Sequence, residues 1–247
     1  MEDKTFLDHL EDLRWVILKS CVVLAVAMML ACLKAREIIV FLRAPLDRIL
    51  IEKHIAPDSF LLILGVVDPF TLMLQIGLFV GVIVSLPFIF YFLAQFFAPA
   101  LREKERKIVY PVFLFGGALF LLGVVFCYYL VLPQAIQFFL GLNDWFGWKP
   151  AWTIQNYLNF TLQMLIAFGV SFELPLVLLV LMRFGILSSQ KLAHYRKHTI
   201  VILLIFAACV TPTSDPYNLA LLFFPMYILF EASILIGRLG ALPPYPR

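Results

Sequence analysis

The stretch SLPFIFYFLAQFFAPALREKERK, from Ser85 to Lys107, decides the fold. Its first part is an apolar aromatic run with one proline, Pro87. Its last part, Arg102 to Lys107, is charged at every position. A segment built this way leaves hydrocarbon and stops in water on one side of a membrane. Arg102, Lys104, Arg106 and Lys107 surround two carboxylates, Glu103 and Glu105. Two readings stand for those acids. They balance the charge of a solvated turn, or they serve a cationic partner.

The rest of the chain agrees with a membrane setting. Of its 247 residues, 63% are hydrophobic and 14% charged, and mean hydropathy is +0.96. A soluble domain carries about 25% charged residues. The net charge of +3, spread over scattered basic residues, is too small to suggest nucleic-acid binding, and no nucleic-acid partner is expected. The first fourteen residues are acidic and amphipathic, and no A-x-A site follows the first apolar run, so no cleavable signal peptide is expected. Cys21, Cys32, Cys127 and Cys209 lie in apolar runs without a C-x-x-C and read as packing residues. His194 and His198 share a helix face but lack H-E-x-x-H spacing and a third ligand. No metal or other cofactor is expected. With Lys191, Arg196 and Lys197 they read as a basic surface facing the membrane and its lipids.

The apolar runs give the architecture. Residues 4–14 predict a short amphipathic helix capped by Thr5 with Asp8 as capping-box partner. Phe6, Leu10, Leu13 and Ile17 form its apolar stripe, and Asp8, Glu11 and Asp12 fall on another face. Spans follow at about 15–33, 70–97, 108–132, 157–182, 199–210 and 217–236. Pro87 marks a kink in the second span, and Gly77-x-x-x-Gly81 allows close packing there. Pro133 is expected to end the third span. Glu173 and Pro175 interrupt the fourth. The fifth and sixth have short uninterrupted apolar parts, which predicts a locally thinned bilayer. The connection at 34–68 contains a short helix around Pro45. The connection at 133–156 carries Trp145, Trp148 and Trp152, which favour the interface. The fold expected is a single all-α membrane domain over 1–247, with six transmembrane helices, the last two short, and an N-terminal amphipathic cytoplasmic helix.

Short basic loops set the orientation. Residues 102–107 and 183–198 carry clusters of Lys and Arg. Residues 133–156 have only Lys149, and 211–216 have none. The positive-inside rule places both basic turns, and with six spans both termini, in the cytoplasm. The longer 34–68 connection, with Lys34, Arg36, Arg43, Arg48 and Lys53, argues the other way and is outvoted.

Two acids lie where acids are costly. Glu173 sits among Phe168, Val170, Phe172, Leu174 and Leu176. An acid at a helix centre costs about 2.5–3.5 kcal/mol on insertion scales. It marks either a functional group or a carboxyl hydrogen-bonded to a neighbouring helix. Glu231, nearer the cytoplasmic end of the last span, is either an intramembrane polar group or a paired interfacial charge. No G-x-S-x-G, H-E-x-x-H or phosphate-cradling loop appears, so an enzyme is not expected.

Four motifs then coincide: His9-Leu10-Glu11-Asp12-Leu13-Arg14, Phe96-Phe97-Ala98-Pro99-Ala100-Leu101 running on to Glu105-Arg106, Phe168-Gly169-Val170-Ser171-Phe172-Glu173-Leu174-Pro175, and Pro225-Met226-Tyr227 with Phe230-Glu231. In this order, on this span pattern, the chain resembles the TatC family of twin-arginine protein translocases over nearly its whole length. The resemblance implies a receptor in the bacterial inner membrane for signal peptides bearing two arginines. It also implies export of folded cargo, single-span TatA/TatB-type partner subunits, self-association in the complex, and use of the proton-motive force. The family's acid in its H-L-x-E-L-R motif falls here on Asp12, one methylene shorter, with Glu11 beside it. The acid after the A-P-A-L run falls on Glu105. Phe96 and Pro87 fall on family positions along the second span, and Glu173 matches a buried acid that meets a partner's transmembrane segment. Asp215 falls near an external acidic position, though this chain reads T-P-T-S-D where others are shorter. Pro45 resembles a proline of the first external loop.

The expected site is therefore Asp12 with Glu11 and Glu105 for the arginine pair, since carboxylates accept guanidinium bidentately. Arg14, Arg106 and Lys107 keep those acids ionised when it is empty. The alternative is a proton-coupled small-solute transporter with Glu173 as the relay.

Overall fold

A computed structural model describes residues 6–100, 103–183, 186–211 and 215–238; within these, the side chains at 6–9, 58–59, 99–100, 103–108 and 183 are also left undescribed. The elements are α1 (Phe6–Leu33), α2 (Ala35–Glu52), α3 (Pro57–Phe60), β1 (Leu61–Leu62), α4 (Asp68–Ala100), α5 (Glu103–Phe126), a π-helical turn (Cys127–Val131), α6 (Leu132–Phe146), β2 (Trp152–Thr153), α7 (Ile154–Phe172), α8 (Leu174–Arg183), α9 (Ser189–His194), α10 (Arg196–Val210) and α11 (Pro216–Arg238). The two short strands pair in parallel, Leu61 with Trp152 and Leu62 with Thr153. The chain packs as two compact units, Met1–Leu42 with Ile63–Leu121, and Arg43–Leu62 with Leu122–Arg247.

Five described helices are long and apolar enough to cross a membrane: Leu10–Leu33, Asp68–Ala98, Val109–Phe146, Ile154–Met182 and Pro216–Arg238. The fifth apolar run forms α10, of 15 residues. At 1.5 Å per residue it reaches about 22 Å, short of ~30 Å of hydrocarbon. The sixth does not share this shortness. α11 is a 23-residue helix that continues through Pro225, so the expectation of two short final spans holds for α10 alone.

Other boundaries also differ from the sequence reading. Among the described residues the segment from Phe6 to Arg14 is helical but is not separated from the first span, because α1 runs unbroken for 28 residues. Phe6 to Leu33 contains neither Gly nor Pro, so nothing stops the helix where polar residues give way to apolar ones. Thr5 and the Asp8 side chain lie outside the described residues. In the first connection the helix around Pro45 is much longer than expected, with 18 residues.

Pro133 does not end the third span. It stands in the first turn of α6, whose preceding turn is π-helical. There the Leu132 N–H donates to the Cys127 carbonyl, five residues back. The wider turn relieves the clash that a proline ring makes with the carbonyl four residues earlier. The helix thus runs on from Val109 to Phe146. α6 stops at Gly147, whose φ of 71° is left-handed. The Trp148 N–H donates to the Asn143 carbonyl at 2.9 Å, closing the end in a Schellman pattern.

Candidate functional site

In the first unit, α1 and α4 pack antiparallel through small residues on α4. A Cβ on Gly81 would lie 3.0 Å from the Met28 amide nitrogen and 3.1 Å from its Cα, and one on Gly77 would strike the Cys32 sulfur. The Cys32 thiol donates to the Met73 carbonyl at 3.5 Å. The G-x-x-x-G pair is therefore a contact where backbones approach. Met28 lies level with Gly81, and Cys32 with Gly77, so each step up α1 is a step down α4. Extended toward the start of α1, that register sets Asp12 level with Phe96 and Phe97.

The Phe96 and Phe97 rings meet edge to face at 5.2 Å. Phe97 stacks on Phe113 of α5 at 5.8 Å with an interplanar angle of 11°. Behind them Ala94, Ala98 and Val109 are buried. Further along, a Cβ on Gly117 would stand 3.1 Å from the Pro87 Cα. Pro87 therefore belongs to the α4–α5 contact, where missing side-chain bulk lets the helices close. This hairpin carries Glu105 in the first turn of α5. The side chains of Glu103, Glu105, Arg106 and Lys107, and the whole of Arg102, lie outside the described residues. Glu11 and Arg14 are exposed, and Asp12 and Phe96 are partly exposed.

In the second unit, Glu173 is the hinge residue between α7 and α8. Its N–H reaches back only three residues, to the Val170 carbonyl at 3.1 Å. Pro175 supplies no N–H to continue the ladder, so the helix breaks where the sequence predicts. One carboxylate oxygen of Glu173, Oε1, is buried and has no hydrogen-bond partner. Just N-terminal to it, Phe172 and Phe168 pack on Phe126 with ring centroids 5.4 and 6.2 Å apart.

Glu231 has partners. Arg196 donates to its Oε2 at 2.6 Å, and the Tyr227 hydroxyl donates to its Oε1 at 3.0 Å. The pair is partly exposed, 43% for Arg196 and 31% for Glu231, so screening limits its strength. A double-mutant cycle of Arg196→Ala and Glu231→Ala, read by thermal unfolding, is expected to give a coupling energy of about 1 kcal/mol. A coupling indistinguishable from zero would show that the contact is incidental.

Asp215 caps α11. Its Oδ1 accepts the Asn218 N–H at 2.8 Å, and its Oδ2 accepts the Asn218 side-chain amide at 2.9 Å. Pro216 follows at the first helical position, where its missing donor costs nothing. Asp215→Ala is expected to lower stability by about 1 kcal/mol, measurable as a drop in Tm. Pro45 is buried within α2 beside the half-buried Arg43–Asp47 pair, at 3.3 Å. Among the described residues, no three His, Cys, Asp or Glu converge on a metal-sized site.

A family profile described as Sec-independent protein translocase protein (TatC) matches residues 8–225. The chain belongs to the TatC family. It is accordingly a translocase subunit, a transport component and not an enzyme, and a multi-pass membrane protein. The TatC of Aquifex aeolicus is 32% identical over 234 residues, covering 94% of both chains. The TatC of Akkermansia muciniphila is 39% identical over 170 residues; that match covers 69% of this chain and 49% of the relative, so it spans about half of the relative's length. A crystal structure of a twin-arginine translocase receptor, TatC, superposes with a TM-score of 0.79 at 32% identity, covering 94% of this chain and 99% of that one.

Against the TatC motifs, sequence reasoning missed two features. Arg196 as the partner of Glu231 left no local signal, being 35 positions away. The Asp215 cap did leave one, since Asp followed by Pro is a helix-start pattern.

Proposed function

We propose that the chain is the receptor of a twin-arginine translocation system in the bacterial inner membrane, with both termini cytoplasmic. It binds the twin-arginine signal peptides of folded cargo. It nucleates a translocase with single-span TatA/TatB-type subunits and further copies of itself, and export draws on the proton-motive force. The α1–α4 register carries this reading. It brings the acidic pair Glu11–Asp12 level with Phe96–Phe97, on the same unit as the start of α5 that bears Glu105. Two guanidinium groups need two carboxylate acceptors, and one packed unit offers them from two chain segments. The aromatic end of α4 gives the peptide's apolar stretch a surface beside those acids. Arg14, Arg106 and Lys107 are the basic residues of the same segments, and an incoming arginine pair competes with them for the acids. A lysine pair lacks the planar fork and competes poorly.

Photocrosslinkers placed at positions 12, 96 and 105 are expected to capture a twin-arginine signal peptide. Glu105→Ala is expected to cut that capture and export by about tenfold or more, the loss of one charge-assisted bidentate contact. Folded, membrane-inserted Glu105→Ala that crosslinks and exports normally would overturn the assignment.

A further inference from the structure

The connection before α4 changes character abruptly. Lys34, Arg36, Glu37, Arg43, Asp47, Arg48, Glu52, Lys53 and Asp58 keep its first part polar. Residues 59–67, Ser-Phe-Leu-Leu-Ile-Leu-Gly-Val-Val, then carry no charge. In the fold the large apolar side chains after the β1 pairing point outward. Ile63 is 59% exposed, Leu64 75%, Val66 99% and Val67 61%.

This exposure is built. The Gly65 N–H donates to Asp68 Oδ2 at 2.7 Å, and the Asp68 N–H returns to the Gly65 carbonyl at 3.3 Å. The Phe70 and Thr71 N–H groups both donate to the Val67 carbonyl at 3.1 Å, and the Thr71 hydroxyl to the Asp68 carbonyl at 2.9 Å. A Cβ on Gly65 would lie 2.8 Å from the Asp68 carboxyl carbon, so a side chain there would displace the carboxylate that closes the turn. Asp68 closes the turn on itself and pushes Val66 and Val67 to its tip. The Gly65 N–H and the Gly65 and Val67 carbonyls are satisfied within the turn, and at the headgroup level the other backbone groups of the tip can bond to water or headgroups.

The tip also continues a lipid-facing surface. α4 packs on α1 through Gly77 and Gly81, while Phe70, Leu74 and Leu78 stay exposed at 58%, 48% and 45%. Those three recur every four residues down a helix that crosses the membrane. Val66 and Val67 sit one turn before Phe70, at the end of the span, where chain meets headgroups.

We propose that residues 63–67 are a shallow membrane anchor, inserted at the headgroup–acyl boundary of the adjacent leaflet as an extension of the lipid-facing stripe of α4. Its occupant is phospholipid. Apolar segments of this kind seat about 5–10 Å below the headgroups. The anchor fixes the height of the α4 start, and with it the depth at which the whole α1–α4 pair sits.

The test places a fluorescent NBD group on Val66→Cys, in a chain whose cysteines carry Cys21→Ser, Cys32→Ala, Cys127→Ala and Cys209→Ser, in lipid nanodiscs. The expected result is emission shifted to the blue of the same label on Lys149→Cys. Quenching by phospholipids with a doxyl near the glycerol should be strong, and quenching by iodide should be lost. Quenching by iodide as at position 149 means a tip in water and overturns the proposal. Protection from both quenchers means a protein surface covers it and also overturns it. A second measurement needs no cysteine replacement. A phospholipid with a diazirine close to its headgroup should label residues 62–67 of the unmodified chain, and that label should fall sharply in Val66→Asp. Labelling confined to the helices overturns the proposal independently.

Discussion

Glu173→Leu is expected to make the isolated chain more stable and the export machinery less active. The reason lies in one atom, the buried Oε1 of Glu173 with no hydrogen-bond partner. A buried unsatisfied polar group costs about 1–3 kcal/mol. A leucine of similar volume removes that cost and adds apolar contact beside Phe172. Thermal unfolding in detergent should show a higher Tm for Glu173→Leu. Glu173→Gln keeps a polar group at the same place and should gain little. Export of a twin-arginine substrate should fall in both variants, and more in Glu173→Leu. We propose that this acid engages a polar group on a partner's transmembrane helix, so in the free chain its Oε1 is left without a hydrogen-bond partner until that helix arrives. Crosslinking from position 173 to a single-span partner should fall in parallel with export. A Glu173→Leu chain that is less stable, or that exports at the full rate, would exclude this account.

The second large effect concerns Gly123. A Cβ there would stand 2.6 Å from the Phe168 carbonyl oxygen, 2.8 Å from the Phe172 Cγ and 2.9 Å from its Cβ. A flexible side chain can move away from such a clash, whereas a helix carbonyl moves only with its backbone. Overpacking costs about 1–3 kcal/mol where side chains yield, and Gly123→Val should exceed the upper end. The expected observation is loss of the monodisperse species in detergent together with a Tm too low to measure. Gly141 supplies the contrast within one experiment. Nothing lies within 4 Å of its added Cβ, and it stands in the interior of α6. Gly141→Ala should raise stability by about 0.5–1 kcal/mol through helix propensity alone. Equal effects at the two glycines would show that α7 does not close on Gly123.

The outcomes at individual prolines and glycines show what a sequence can convey about this fold. Pro175 and Pro133 look alike on paper, each within an apolar helical run. At Pro175 the helix breaks at Glu173, as read. At Pro133 a π-helical turn absorbs the ring, and no local pattern announces a π turn before packing selects it. The Gly77–Gly81 spacing was legible and marks a true helix contact. Gly123 makes a closer approach to a neighbouring backbone, 2.6 Å against 3.0 Å at Gly81, and its role is visible only once α7 is in place. The candidate site divides in the same way. Asp12, Glu105 and Glu173 stand out because acids beside or within apolar runs are costly and therefore informative. The Arg196–Glu231 pair depends on α10 and α11 meeting, and long-range pairing has no periodicity to reveal it. The N-terminal segment is helical from Phe6, but its change from polar to apolar residues marks no boundary, because helix continuity depends on backbone breakers that α1 lacks.

The π-helical turn at Cys127–Val131 also makes the chain one residue longer than a regular helix needs on the way from α5 to α6. Each residue turns a helix by about 100°. Deleting a single residue there, such as Tyr129, would therefore leave the line in phase. The Leu132 N–H and the Cys127 carbonyl, now bonded across five residues, would close across four as in a regular helix. Buried Ile136 and Leu140 and exposed Phe138 and Leu142 would keep their faces, and the cost would fall on Pro133, whose ring would again meet the carbonyl four residues back. The same deletion in the regular helix of α5 would rotate every later side chain of that helix by about 100°. This five-residue stretch absorbs a change of length, and relatives that lose one residue should tolerate it here without compensating changes along α6.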